Sequence, residues 1–150
     1  MAALSESVVS LRFFGDDLDH DAISALLGAK PTSSTKKGEE RVSPDGVKRS
    51  VVRTNGWLLD APRRMPGDLD GQIVELLSPL TSDLATWREL TDRFSADLYC
   101  GLFMRESNDG LELQPETLAM IGSRGLSLGL ELYAPLSLED GDTKESDLET

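Results

Sequence analysis

The first regular alternation of apolar and polar residues runs over positions 8–14. Val9, Leu11 and Phe13 fall on one side, and Val8, Ser10, Arg12 and Phe14 on the other. A period of two over this length predicts a strand. Gly15, Asp16, Asp17 and Leu18 then turn the chain into a helix expected over 20–27, with Asp19 as N-cap and Asp21 favouring the positive end of its dipole. Ile23, Leu26 and Leu27 form its expected buried stripe, Gly28 suits the position just past the last turn, and Pro31 forbids continuation. Further on, Ser43-Pro44-Asp45-Gly46 is turn chemistry, with proline setting φ and glycine accepting positive φ. It predicts a hairpin with strands over 36–42 and 47–54, the second continuing through Trp57, Leu58 and Leu59. Asn55-Gly56 reads as a bulge in that strand, with a second tight turn as the alternative.

After a loop marked by Pro62, Pro66 and Gly67, Ile73, Leu76, Leu77 and Leu80 follow a helical face, which predicts a helix over 69–77. Pro79 is expected to end it by biasing Ser78 away from helical geometry. A helix over 83–94 should turn Leu84, Trp87, Leu90 and Phe94 inward, and 98–105 reads as an apolar strand. Residues 111–113 form a short extended piece, and Pro115 at the first helical position opens a further helix with Leu118 and Ile121 in the core. Leu126, Leu128, Leu130 and Leu132 alternate with Ser127, Gly129, Glu131 and Tyr133, the pattern of a half-buried strand.

These elements predict an α+β fold in which helices pack on one face of a mostly antiparallel sheet. Segments 8–36 and 98–133 share a plan of strand, turn, capped helix, glycine and extended piece. Two β-α-β-type halves, a ferredoxin-like duplication, are one expectation, and chance likeness of short elements is the other. One domain is expected over 8–136, with a flexible segment at 1–7 and a disordered tail at 137–150 that carries six acids and one lysine.

Composition narrows the chemistry. At 39% hydrophobic and 28% charged the chain is an ordinary globular sequence, and its 150 residues suffice for a real core. No apolar run approaches the roughly 20 residues a bilayer span requires. The first residues lack a basic segment followed by an apolar one, so no secretory signal is read and a cytoplasmic location is expected. Cys100 is the only cysteine, which excludes an intrachain disulfide. The net charge of −12 argues against general nucleic-acid binding. That charge is uneven, because residues 30–64 hold nine bases against four acids, a net of +5, and leave −17 for the rest.

Phe14-Gly15-Asp16-Asp17-Leu18-Asp19, Ile23-Ser24-Ala25-Leu26-Leu27-Gly28, Pro31-Thr32 and Lys37-Gly38-Glu39 together resemble a bacterial family of uncharacterised domains, domain of unknown function 4279. Trp57-Leu58 and the closing Leu130-Glu131-Leu132-Tyr133 are similar to its pattern as well, so the resemblance spans about 8–133. It implies a discrete single-domain bacterial protein. These motifs are turns, caps and helix stops, and the resemblance implies no activity and no site residue.

Candidate chemistry is sparse. Acids at Asp17, Asp19 and Asp21 alternate as at the start of a calcium loop, but its sixth and twelfth positions would be Ala22 and Gly28 instead of glycine and glutamate. Helix capping and solubility account for those acids. His20 is the only histidine, too few for a histidine-built zinc site, and no Gly-x-Ser-x-Gly elbow accompanies it. Cys100, between Tyr99 and Gly101 in an apolar strand, reads as a buried structural thiol. No phosphate-binding glycine motif occurs. Glu131 with Asp16 or Asp17 is a conceivable acid–base pair, although with 27 acids such pairings come cheaply. No catalytic residue, metal ligand or cofactor is therefore assigned.

Lys36, Lys37, Arg41, Lys48, Arg49 and Arg53 flank the predicted hairpin turn and form the candidate interaction surface. It suits an acidic protein, a phosphorylated ligand or RNA, against a simple role as a guarded sheet edge. The leading expectation is a non-enzymatic protein-interaction module, with an antitoxin-like immunity role as one form, its contacts then made by the acids at 16–21 or by those of the second half of the chain. The alternatives are a small-molecule-binding domain or carboxylate-dependent enzyme, its pocket between helices and sheet lined by Trp57, Tyr99 and Tyr133, and a homo-oligomer formed through a sheet edge.

Overall fold

The computed structural model describes residues 4–135. In chain order its elements are β1 (Glu6–Gly15), α1 (His20–Leu27), β2 (Ser33–Thr35), β3 (Glu40–Val42), β4 (Arg49–Val51), β5 (Asn55–Asp60), α2 (Leu69–Leu77), α3 (Leu84–Arg93), β6 (Ser95–Phe103), α4 (Pro115–Ser123) and β7 (Ser127–Tyr133). Five strands form one sheet in the order β2-β5-β1-β6-β7, and β3 pairs with β4 as a separate ribbon. Only β6 and β7 run parallel; every other pairing is antiparallel. The fold is α+β with a mostly antiparallel sheet, as the residue pattern predicts.

β1 is central because its alternation is strict. Val9, Leu11 and Phe13 point to one face and are fully buried against the helices, a side-chain period of two made visible. Phe13 lies between two indoles, its ring edge-on to Trp57 at 5.9 Å and stacked on Trp87 at 6.3 Å. Both indole N–H groups are satisfied inside the core, Trp57 donating to the Ser24 hydroxyl at 3.0 Å and Trp87 to the Thr81 carbonyl at 2.8 Å. Ser7 and Gln72 are buried too, and answer each other completely. The Ser7 hydroxyl donates to the Gln72 carbonyl and accepts from the Asp68 N–H, while the Gln72 amide donates to the Ser7 and Pro62 carbonyls. This network pins the start of β1 to the start of α2.

The repeat lies elsewhere than in the segments that suggested it. β1-α1-β2 is a β-α-β unit split by β5, and β5-α2-α3-β6 is a second one split by β1. That interleaving is the ferredoxin-like plan. The closing α4-β7 segment extends it by one strand, instead of forming the second half.

Several local expectations are corrected. The strands expected over 36–42 and 47–54 shorten to β3 and β4, and β5 begins a new strand with unbroken register, Gly15 opposite Asn55 and Phe14 opposite Gly56. No bulge forms at Asn55-Gly56. Gly56 is needed because a Cβ there would meet the Thr35 hydroxyl at 2.5 Å and the Phe14 ring at 2.9 Å. α2 ends at Leu77 ahead of Pro79, as expected, but Ser78 itself keeps helical geometry. Leu26, Leu84 and Leu118 are exposed, since short helices bury a stripe narrower than the spacing allows, and Thr117 takes the inward place beside Ile121. Leu111 and Leu113 pack on the core without joining a strand. Leu130 and Leu132, expected to be covered, are exposed because among the described residues no helix reaches past β7. At the other terminus Leu4 and Ser7 are buried and Ser5 N–H bonds the Phe103 carbonyl at 2.9 Å, so order begins before residue 8. The tail over 137–150 lies outside the described residues. Among the described residues no helix is long and apolar enough to cross a membrane.

Replacing Phe13 by alanine removes the ring from between the two indoles and should cost about 3–5 kcal/mol. Urea unfolding should show this as a lower midpoint with an unchanged slope, and a midpoint within error of wild type would mean that the indoles pack without it.

Candidate functional site

The predicted turn closes as its chemistry requires. Gly46 takes φ +77°, its N–H bonds the Ser43 carbonyl at 2.9 Å, and the Asp45 carboxylate accepts from the Val47 N–H at 3.0 Å. From this tip β3 and β4 run back to Gly38 and Val52, where the Gly38 N–H donates to the Val52 carbonyl at 2.9 Å and the Val52 N–H to the Glu39 carbonyl at 2.8 Å. The result is a two-stranded arm standing off the β2–β5 edge, with every residue of β3 and β4 exposed. Its base is held by Asn55, whose side chain accepts from the Lys37 N–H at 2.8 Å and donates to the Leu18 carbonyl at 3.0 Å.

Register places Glu40, Val42, Arg49 and Val51 on one face of the arm. Val42 is 53% exposed, Val51 62% and Val47, at the tip, 78%, which is unusual for β-branched residues in a strand pair. A two-stranded ribbon is at best marginally stable in water without a hydrophobic face to cover. An open cleft of about 650 Å³ runs along the arm, lined by Lys37, Arg49 and Arg53 with Val51 and Val52 between them.

All six predicted basic residues lie on or beside this arm, and the structure divides them into two groups. Lys37 pairs with Asp16 at 3.1 Å, Arg41 with Glu39 at 3.0 Å and Arg49 with Glu40 at 3.0 Å. The Lys37 ammonium, by hydrogen bond and charge, holds the Asp16 carboxyl below its ordinary value, with help from Thr54. Lys36, Lys48 and Arg53 form no ion pair among the described residues. Exposed pairs of this kind are screened by solvent and contribute little, so the paired cations exchange partners at little cost.

The aromatic residues expected to share a pocket do not meet. Trp57 points into the helix-covered core, whereas Tyr99 and Tyr133 lie on the opposite, uncovered face of the sheet. A period-two strand puts Trp57 opposite buried Phe13, and Tyr99 opposite Ser10 on the polar side of β1. Tyr133 stacks on Phe103 at 4.7 Å, and partial desolvation, then Glu131, raises its phenol. Glu131 sits in the row of Gly101 and Val8, far along the sheet from Asp16, which follows the other end of β1. The carboxylate pair that the sequence offered in principle, and gave no reason to favour, does not assemble.

The uncovered face carries a cluster that the sequence reading passed over. Arg12 bonds Asp97 through two contacts, at 2.8 and 2.7 Å, and its guanidinium lies 4.5 Å from the Tyr99 ring centroid and 5.2 Å from that of Phe14. The Asp97 hydrogen bond outweighs desolvation and raises the Arg12 pKa. Arg12 on the polar side of the first strand was the available signal, but its carboxylate partner, Asp97, lies 85 residues away in another strand. This cluster satisfies its own charges, so it rigidifies the face and leaves little for a ligand.

His20 opens α1 and its Nε2–H donates to the Thr35 carbonyl at 2.9 Å, tying the helix to β2. Asp19 caps the same helix through the Asp21 and Ala22 N–H groups. Among the described residues no three His, Cys, Asp or Glu side chains cluster so as to hold a metal ion. Cys100 is fully buried on the helix side of β6, and burial, with a smaller push from Asp97, raises its thiol to about 12.

Fold and surface thus define a class: a ferredoxin-like α+β domain, extended by one strand, that projects a basic two-stranded arm. The sequence profile described as "Domain of unknown function (DUF4279)" matches residues 5–135, and the chain belongs to that family. No curated protein and no solved structure matches it.

Burial of Cys100 makes two measurements decisive. An aromatic disulfide reagent near neutral pH should leave the native thiol unreacted and titrate one equivalent after unfolding; rapid native reaction would place the sulfur at the surface. Because folding favours the neutral thiol, its contribution is complete below the ordinary value of 9.0 and is lost as pH rises toward about 12. Over that window wild-type stability should fall more steeply than that of Cys100→Ala.

Proposed function

We propose that this protein is a non-enzymatic binding module of the bacterial cytoplasm, whose basic arm takes a short acidic segment of a partner protein. The observation that carries this reading is the cleft along β4, where Lys37, Arg49 and Arg53 rim the exposed Val51 and the half-buried Val52. A segment alternating acids with apolar residues satisfies both parts at once. The carboxylates replace the weak internal pairs of Lys37 and Arg49 and meet Arg53, and the apolar side chains cover Val51. Binding also supplies the covering surface that an isolated ribbon lacks.

Nucleic acid is a poorer fit, since Trp57, the aromatic residue nearest the arm in sequence, is buried and the whole chain carries −12. The antitoxin-like variant of this reading draws on acids, and two of those at its expected contact, Asp16 and Asp19, are engaged by Lys37 and by the α1 cap. The small-molecule reading retains no pocket joining Trp57 to the two tyrosines.

A photo-crosslinker placed at Ser50 should capture a partner from native cells through an acidic stretch. The double variant R49E/R53E should lose at least about tenfold in affinity for that partner, with its thermal midpoint unchanged. Capture that survives the charge reversal would reject the arm as the binding surface.

A further inference from the structure

The two edges of the main sheet are treated very differently. β2 is three residues long and leads directly into the basic arm, so that edge is short and charged, which is how natural sheets avoid edge-to-edge pairing. β7 is seven residues long, extended throughout, and contains neither lysine, arginine, proline nor a bulge. Its side chains at the helix-covered face, Leu130 and Leu132, are 49% and 63% exposed.

The hydrogen-bonding phase of this strand is fixed. The Tyr133 carbonyl accepts from Met104 N–H at 3.0 Å on the inner side, and bonding direction alternates along a strand. The N–H and C=O groups of Leu128, Leu130 and Leu132 therefore face outward, beyond the sheet. A second β7 laid antiparallel about a two-fold axis at Leu130 meets them in register, with Leu130 opposite Leu130 and Leu128 opposite Leu132. On the other face Gly129 falls opposite Glu131 and Ser127 opposite Tyr133, so no like charges are directly opposed. A strand that matches itself in bonding groups, apolar residues and charge is an isologous surface.

The geometry points to a homodimer formed by antiparallel pairing of β7 with β7 of a second copy, which joins two five-stranded sheets into one of ten strands. The leucine strip closes over the axis and continues the helix-side core. One strand edge buries less than the roughly 800 Å² a side of a standard interface, so α4, which packs on β7 and exposes Leu118, extends the contact. The chain's own residues 137–150 are a poor rival occupant, with six acids set against an apolar strip on a strand that already carries Glu131 on its other face.

Sedimentation equilibrium of the full chain should give twice the mass of one chain. L130K places two cations at the axis, and L130P deletes an outward N–H; either should raise the dimer dissociation constant at least about tenfold. Leu130 is exposed, so L130K should keep the wild-type circular dichroism spectrum, which separates loss of pairing from loss of folding. A short bis-maleimide should link L130C to itself and leave V47C, on the arm, monomeric, with buried Cys100 silent in both. A wild-type chain that stays monomeric at all concentrations would overturn the proposal. So would a dimer indifferent to both Leu130 substitutions, or a monomer that pairs only after removal of 137–150. R49E/R53E should leave the mass unchanged, so failure of the arm reading and failure of this one are distinguishable.

Discussion

Phe13 is the place where the two interleaved β-α-β units hold each other. It comes from β1, between Trp57 of β5 and Trp87 of α3, so a single ring touches both the strand that splits the first unit and the helical connection of the second. Burying three aromatic side chains in contact concentrates several kcal/mol at one point of a domain whose net stability is about 5–15 kcal/mol. The consequences spread outward. Once Phe13 faces the helices, Arg12 and Phe14 must face away, and the guanidinium must find Asp97 and the flanking rings on the open side. The face without helices is thereby covered by its own charge-paired and stacked side chains. A layer of helices is not needed there.

What was legible in the chain was whatever short-range chemistry decides. Asp19, Gly28, Pro115 and the Ser43–Gly46 turn act within a few residues, and each stands where its capping or turn preference puts it. Burial was harder to read. Leu128, Leu130 and Leu132 have the alternation of a half-covered strand, yet the pattern is the same whether the apolar side meets a helix or open solvent at an edge. β2 was legible only as an undefined extended piece before residue 36, because Ser33, Ser34 and Thr35 are polar and owe their strand pairing to β5. The aromatic grouping of Trp57 with the two tyrosines failed for a related reason. Side-chain direction in a strand is set by register with distant partners, and composition does not encode it.

The basic arm was legible as charge and invisible as shape. Six cations within 18 positions announce a patch, and the turn at its centre announces a hairpin. Sequence does not reveal that the ribbon leaves the sheet after Thr35 and returns at Asn55, exposing both of its faces. Detachment changes the energetics. A ribbon lying on the domain would cover Val42 and Val51 with its own core, whereas a free one keeps that apolar area available. The acids that neutralise half of the cations are local and weakly held, so the charge is displayed instead of consumed.

The central position of β1 also governs how the molecule can be made. Leu11 pairs with Leu59 on one side and Leu98 on the other, so the earliest of these strands in chain order is among the last to be flanked on both edges. At translation rates of about 5–20 residues per second, its second neighbour emerges on the order of 10 s later. During that interval Val9, Leu11 and Phe13 form an apolar ridge on a nascent chain with one open edge, a segment suited to recognition by chaperones. The topology that makes the finished domain cohesive therefore makes its birth slow and its first strand the point of greatest exposure to aggregation.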